Sequence, residues 1–329
     1  MKGTISGLGI AAMVAVVTIP AASAQEFTLR LHTLARDPHP FNDVAKRLKD
    51  YVEAESDGRV EIRIMDSGQL GQDPAVISEM GIGTIDMMVS TASNAAQQFP
   101  ELGIFTMPYI FDDMDDVAAT LAPGTPALAH FQRAFAERDV GVKLLGLGAS
   151  GTRNMATVET AVTGPDDLDG LRMRTPPSPM DTAVWSSFGM LPTTVAWGEL
   201  YAAMQAGLAD ALESSLPAYF GSKLFEVAPN LVLTGHVVQV HHVSISDVTW
   251  NRMPEELQAI FEQGVIEGNA FALGTAKEYD SSFVSRLEDE HGVTVHRPDV
   301  TAFRAALEPI KTQLAEELDL QTEYGLITQ

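Results

Sequence analysis

Two arginines near the centre of the chain have the chemistry and the setting that a carboxylate-binding site needs. Arg153 ends a glycine-rich segment, and Arg174 ends an alternating stretch that also contains Arg172 on the same predicted face. A guanidinium is a planar fork that can donate two parallel hydrogen bonds to one carboxylate. Without further context, a surface arginine paired with an acidic neighbour is still the favoured interpretation, so these residues indicate an anion site without establishing one.

The histidines do not form a pattern typical of a metal site. In a strand, His236 and His242 would lie on one face and His241 on the other, and no third ligand follows at a fixed spacing. We therefore expect no metal here, and a polar pocket wall or plain surface instead. His32 and His39 lie near the first predicted strand-to-helix loop, and loops at the carboxyl ends of parallel strands line ligand crevices.

The glycine-rich segment Gly146-Leu-Gly-Ala-Ser-Gly151 matches the dinucleotide pattern G-x-G-x-x-G. That function needs a helix directly afterwards, but residues 152–163 are rich in β-branched types and predict a strand. A hinge between two modules is a better interpretation of these glycines. The chain also lacks cysteine and the G-x-S-x-G, H-E-x-x-H and P-loop motifs, so no catalytic set stands out and we expect no cofactor. A periplasmic enzyme acting on a small carboxylate stays an alternative function, without a recognisable nucleophile, metal set or cofactor motif.

Composition excludes several partners. The 329 residues include 44 acidic and 21 basic side chains, and the formal charge is −23. Such a balance disfavours nucleic acid and anionic lipid surfaces, which are bound by clustered cations. The hydrophobic share of 45 % is ordinary for globular proteins, and the length predicts two domains.

Residues 1–24 resemble an export signal. Lys2 supplies a positive start, residues 9–20 are uncharged and mostly apolar, and Ala22-Ser-Ala24 provides small residues for a peptidase. A membrane anchor is the alternative, but it needs about 20 continuous apolar residues. We expect cleavage after about Ala24, a periplasmic location and no direct membrane insertion.

The remaining sequence alternates between strand and helix patterns, which predicts an α/β fold. In the first module, strands at 27–32, 60–65, 85–89 and 140–147 alternate with helices at 40–55, 73–80 and 112–136, the last with a Pro-Gly break near 123–126. In the second, strands at 158–162, 171–175 and 209–213 accompany helices at 179–188 and 197–206. Residues 231–246 could cross between the modules, and residues 255–291 predict one long helix.

The segment Pro165-Asp-Asp-Leu-Asp-Gly-Leu-Arg-Met-Arg174 resembles the central motif of DctP-type substrate-binding proteins of TRAP (tripartite ATP-independent periplasmic) transporters. Similar agreement, in order and spacing, occurs at 58–62, 67–71, 83–87, 107–111 and 197–210. The resemblance implies a two-lobe α/β periplasmic binding protein fold, with mostly parallel mixed sheets and a long helix bracing both lobes. Lobe I would comprise residues 25–150 and about 240–279, and lobe II residues 151–239 and about 280–329.

The resemblance also implies roles for individual residues. Arg174 would hold the ligand carboxylate with help from Arg153, Trp197 would pack on the ligand, and Thr91 with Ser90 would contribute from lobe I. Family members commonly have asparagine after the glutamate that matches Glu213, whereas this chain has the shorter Ser214, so ligand size does not carry over. The candidate ligand-binding set is Arg174, Arg153, Trp197, Ser214, Glu213, Thr91, Ser90, His32 and His236.

The function implied is that of an extracytoplasmic solute receptor. It would capture a small organic acid anion, such as a sugar acid or sulfonate, between its lobes and deliver it to TRAP membrane subunits. A receptor that serves a sensor kinase or chemoreceptor is a further alternative.

Overall fold

The computed structural model describes residues 25–328 together with Gly3, so the predicted cleavage site and nearly all of the predicted export signal lie outside the described residues. The strands are β1 (Phe27–His32), β2 (Val60–Met65), β3 (Met87–Thr91), β4 (Val142–Thr157), β5 (Arg172–Thr175), β6 (Leu191–Thr194), β7 (Ala211–Ser215), β8 (Asn230–Ser246) and β9 (Thr294–His296). The helices are α1 (Pro40–Glu55), α2 (Asp73–Gly81), α3 (Ala92–Ala95), α4 (Met114–Thr120), α5 (Pro126–Glu137), α6 (Pro179–Ser187), α7 (Leu200–Gln205), α8 (Leu216–Gly221), α9 (Asp247–Trp250), α10 (Glu255–His291), α11 (Val300–Leu307), α12 (Lys311–Glu317) and α13 (Gln321–Ile327).

The strands form one continuous sheet with the order β2-β1-β3-β8-β4-β7-β5-β6, and β9 pairs with β8. In lobe I, β1 runs parallel to β2 and β3, and in lobe II, β5 runs parallel to β6 and β7. The two long strands β4 and β8 pair antiparallel along their length and join the lobes. The predicted α/β fold is therefore confirmed, and the carboxyl ends of β3 and β5 both lie at the cleft between the lobes.

The glycine-rich segment does not interrupt β4, although the sequence predicts that the strand ends at residue 147. A β-carbon at Gly146 would lie 2.7 Å from Val265 Cγ1, and one at Gly148 would lie 2.7 Å from the His241 ring. These glycines therefore allow α10 and β8 to approach the strand closely, and the helix that a nucleotide site requires does not follow them. A register shift between Ala149 and Thr152 interrupts the regular pairing with β8, and a hinge at this point stays a prediction.

The prediction of a strand at 158–162 is wrong. β4 ends at Thr157 because the chain turns there, and the Thr157 hydroxyl donates a hydrogen bond to the carbonyl of Thr160. The loop that follows leads into a short 3₁₀ helix, Pro165–Leu168.

The long helix α10 has 37 residues and the predicted bounds, Glu255–His291. It packs on α1 of lobe I and on α8 of lobe II, and it ends at Gly292, whose φ of 68° is the left-handed conformation that glycine adopts readily. The C-terminal helices contact both lobes, since α13 packs on α5 and α12 on α6. The exact lobe boundaries stay a prediction. Across residues 25–328, every helix is too short or too polar to cross a bilayer.

Candidate functional site

A cavity lies in the cleft between the lobes. Lobe I supplies loops that follow β1 and β3, and lobe II supplies the ends of β5 and β7 together with α8. The polar and charged lining residues are Arg36, His39, Ser90, Thr91, Ser93, Asn94, Arg153, Arg174, Ser214, Ser222 and Gln239. This site lies where open α/β sheets bind ligands, at the carboxyl ends of the strands.

Arg174 occupies the carboxyl end of β5 and is 1 % exposed. Its Nε and Nη2 atoms donate to the carbonyl of Val195 at 3.0 and 2.7 Å, which fixes the plane of the guanidinium. No residue within 25–328 accepts a hydrogen bond from its Nη1. Burial lowers the pKa of Arg174 to about 10, so the group is still cationic at neutral pH. The ring of Trp197 lies 5.7 Å from the guanidinium carbon, within the range of a cation–π contact.

Arg172 shares the strand face but not the environment of Arg174. It begins β5 at the surface, where its side chain is 45 % exposed and forms an ion pair with Asp210. Its Nη1 donates to the carbonyl of Gly207 at 2.6 Å. Position along the strand, rather than the face alone, therefore separates the surface arginine from the cleft arginine.

Arg153 also lines the cavity, but its charge is compensated. The Glu213 carboxylate accepts hydrogen bonds from Nε and Nη2 of Arg153, and both side chains are buried. Burial alone would raise the pKa of Glu213, but the Arg153 charge and its hydrogen bonds hold that pKa well below its usual range. His236 lies behind this pair, with Nε2 3.6 Å from Glu213 Oε2. Burial lowers the pKa of His236.

Asp181 is an additional buried acid near these groups that the sequence did not indicate. It lies in the first turn of α6, which Ser178 caps by accepting a hydrogen bond from the Asp181 backbone N–H at 3.3 Å. Its Oδ2 atom is buried and has no hydrogen-bond partner within 25–328. Burial, and then the negative charge of Glu213, raise the pKa of Asp181 to about 7. The carboxyl therefore carries only part of a negative charge at neutral pH.

In lobe I, Asp73 positions two polar groups of the cavity wall. Its carboxylate accepts a hydrogen bond from the Ser90 hydroxyl, and it accepts another from Asn94 Nδ2 at 2.7 Å. On its other oxygen it contacts His32 Nε2 at 3.1 Å. His39 caps α1, where its Nδ1 accepts a hydrogen bond from the Phe41 backbone N–H at 3.1 Å. Burial lowers the pKa of His39 to about 3, so this ring presents a neutral surface to the cavity.

The structure brings six of the nine predicted ligand-binding residues to the cavity wall, namely Arg174, Arg153, Trp197, Ser214, Thr91 and Ser90. Their contact with a ligand stays a prediction. The other three do not line the cavity: Glu213 and His236 lie behind Arg153, and His32 lies behind Ser90. Direct contact of these three residues with a ligand also stays a prediction.

Five polar lining residues were not predicted from the sequence, namely Arg36, Ser93, Asn94, Ser222 and Gln239. Asn94 lies just beyond Thr91 at the carboxyl end of β3, so the argument that identified the first loop could have found it. Gln239 lies in the middle of β8, and nothing in its local sequence distinguishes it from a strand residue facing elsewhere. Among the described residues, no group of three or more histidine, aspartate and glutamate side chains could hold a metal ion.

Comparison with known proteins gives consistent results. Residues 32–318 match the DctP family, described as bacterial extracellular solute-binding protein, family 7. A solute-binding protein of Sulfitobacter sp. is 29 % identical over 293 residues, which cover 88 % of this chain and 86 % of the relative.

Two crystal structures extend the similarity to three dimensions. A TRAP periplasmic solute-binding protein from a Bordetella species, with density assigned to pantoate, has a TM-score of 0.85 and 26 % identity and covers 92 % of this chain and 99 % of its own. Another, from Roseobacter denitrificans with bound L-galactonate, has a TM-score of 0.79 and 27 % identity, and it covers 90 % of this chain and 99 % of its own. The predicted family and the predicted two-lobe fold are therefore confirmed.

Proposed function

Because this chain belongs to the DctP family of bacterial extracellular solute-binding proteins, we propose that it captures a small organic acid anion between its lobes and delivers it to the membrane subunits of a TRAP transporter. The observation that carries this proposal is Arg174, a buried guanidinium in the interlobe cavity whose Nη1 has no partner within residues 25–328. Water can solvate the charge of a guanidinium that is 1 % exposed only in part, and an anionic ligand would supply an acceptor for Nη1.

The charges around the cavity favour a ligand with one carboxylate and several hydroxyl groups. Within residues 25–328, Arg174 is the buried lining cation without a bound acid, because Glu213 already neutralises Arg153 and Arg36, the third arginine of the wall, is exposed to solvent. The rest of the polar wall consists mainly of neutral hydroxyl and amide groups, which can exchange hydrogen bonds with ligand hydroxyls. The similar Bordetella and Roseobacter proteins have pantoate and L-galactonate assigned to them, and both are hydroxylated carboxylates.

The proposed receptor carries out no covalent chemistry. Binding would occur as the lobes close around the acid, because closure removes water from the Arg174 guanidinium and strengthens its bidentate contact. We further propose that the chain is exported and cleaved near Ala24, so that the mature protein meets its ligand in the periplasm.

A thermal-shift screen of the mature protein tests this function. The panel contains pantoate, L-galactonate, D-galacturonate and D-erythronate, with galactose as an uncharged control and succinate as a dicarboxylate. At least one hydroxylated monocarboxylate should raise the melting temperature, because a ligand that binds only the folded state stabilises it. If galactose gives the same shift as the acids, recognition of the carboxylate is refuted.

A matched pair of variants links the shift to the site. Arg174→Ala should abolish the shift, whereas Arg172→Ala, on the same strand face but exposed and paired with Asp210, should keep it. Loss of the shift in both variants would mean that β5, rather than the guanidinium of Arg174, is required. Conversion of the bound acid, detected by product analysis, would favour an enzyme instead.

A further inference from the structure

Leu34 and Trp197 lie at the junction of three cavities in the cleft. Both line the inner cavity that contains Arg174, and both also line two outer cavities. One outer cavity continues past Arg36 and Tyr201, and the other continues past Thr194. Since Leu34 belongs to lobe I and Trp197 to lobe II, this pair, which we call the gate, separates the inner cavity from the outer cleft.

A hydrogen bond between the lobes lies directly beside the gate. The side-chain oxygen of Gln72, the residue before α2 in lobe I, accepts a hydrogen bond at 3.1 Å from the backbone N–H of Gly198, which follows Trp197 in lobe II. Gln72 lines both outer cavities but not the inner one. The Gln72 amide therefore contacts the segment that carries Trp197, and it does not face a molecule bound beside Arg174.

Glycine at position 198 leaves room for the Gln72 side chain in its observed position. A β-carbon there would lie 2.4 Å from Gln72 Nε2, well inside the distance that two such atoms can adopt. On the opposite side of the gate, a β-carbon at Gly68 would lie 3.2 Å from Leu34 Cδ2, so Leu34 packs closely on the backbone of its own lobe. Leu34 thus packs on a glycine of its own lobe, whereas the residue that follows Trp197 is bonded across the cleft to Gln72.

We propose that the hydrogen bond between Gln72 and Gly198 is a latch that keeps the gate closed over the inner cavity. The inference rests on the proposed function, since a gate needs a captured molecule. Gln72 is a positioning residue: it stabilises the closed arrangement of the lobes and does not touch the ligand. Removing the latch should shift the population toward open molecules without changing the contacts that Arg174 offers.

A measurement of the distance between the lobes tests directly whether the latch keeps the lobes closed. The chain has no cysteine, so Ser78→Cys in α2 and Gln205→Cys in α7, both exposed positions on the helices that follow Gln72 and Gly198, can carry two spin labels. Pulsed electron double resonance then gives the ratio of closed to open molecules. It is recorded without ligand and in a mixture of pantoate, L-galactonate, D-galacturonate and D-erythronate.

Four further substitutions are compared in this labelled protein. Gln72→Met keeps the length of the side chain but loses the acceptor, and Gly198→Ala displaces it. Each should lower the closed-to-open ratio about threefold to tenfold in both solutions, the size expected for one neutral hydrogen bond. Gln72→Glu keeps an acceptor oxygen and should retain the wild-type ratio without ligand. Gln69→Met is the control, because Gln69 bonds only Asp66 in its own lobe.

The two hypotheses fail in different ways. Equal ratios for Gln72→Met and the wild type in both solutions would overturn the latch, as would an equal loss in Gln69→Met. If the anion mixture leaves the wild-type ratio unchanged, the proposed function fails for these acids, while the comparison without ligand still decides the latch.

Discussion

Glu213 should stabilise the fold and also set the charge of the cavity, and Glu213→Gln separates its charge from its shape. In the structure Glu213 is fully buried, and its carboxylate binds both Nε and Nη2 of Arg153. Breaking a buried ion pair by removing one charge costs about 3–5 kcal/mol. Glutamine keeps one acceptor oxygen for the guanidinium, so we expect the free energy of unfolding to fall by about 2–4 kcal/mol.

Urea unfolding followed by circular dichroism measures this loss. Glu61→Gln is the matched control, because Glu61 pairs with Arg63 on the exposed surface of β2, and surface pairs contribute about 0–1 kcal/mol. If Glu213→Gln unfolds at the same urea concentration as the wild type, the buried pair does not stabilise the fold as we argue.

The same substitution should change the ligands that bind. Once Glu213 is neutral, the Arg153 charge is no longer compensated at the cavity wall. Dicarboxylates such as succinate should therefore gain affinity relative to pantoate. The pKa of Asp181 should also fall from about 7, since the Glu213 charge helps to raise it, and carboxyl-carbon NMR can follow this change. An unchanged preference between succinate and pantoate would refute the assignment of charge in the cavity.

Three further substitutions test other parts of the account. Arg174→Lys should weaken binding of the acid found in the screen by at least about tenfold in calorimetry, because an ammonium cannot reproduce the planar fork; wild-type affinity would reduce Arg174 to a point charge. Trp197→Ala should weaken binding of the same acid through lost apolar contact, and unchanged affinity would mean that the indole makes no stabilising contact with the ligand. Asp280 accepts a hydrogen bond from the Thr152 N–H at 2.8 Å, and burial raises the pKa of Asp280 to about 6. The contribution of Asp280 to the free energy of unfolding is therefore present at about pH 4 and is lost as the pH rises through 6. At about pH 8, the free energy of unfolding of Asp280→Asn should therefore exceed that of the wild type by about 1–3 kcal/mol. At about pH 4, this difference should be smaller. Urea unfolding that gives the same difference at both pH values would contradict this reasoning.

Elements with strong local periodicity could be predicted from the sequence. Helix α1 has apolar residues at helical spacing and Pro40 at its start, and the bounds of α10 follow from an unbroken pattern that ends before Gly292. The short strands β6 and β9 escaped prediction, because a strand of three or four residues has too little sequence for a period to be visible. Their pairing depends on partners that are distant in the chain.

The residues of the site likewise differ in whether local sequence predicts their location. The location of Arg174 follows from a strand pattern and a family motif, both of which are local. The pairing of Arg153 with Glu213 requires the register of β4 against β7, which places Arg153 opposite Ser215 and Glu213 two residues away. Gln72 bonds Gly198 only when the lobes meet, and Asp181 approaches Glu213 only once α6 packs near β7. Tertiary contacts of this kind leave no periodic signal in a single sequence.

A crystal structure of the protein with the acid that gives the largest thermal shift tests the central claim most directly. We predict that the ligand carboxylate lies in the inner cavity with one oxygen about 2.7–3.2 Å from Arg174 Nη1. A carboxylate bound elsewhere in the cleft, with Nη1 of Arg174 in contact with water alone, would contradict the account.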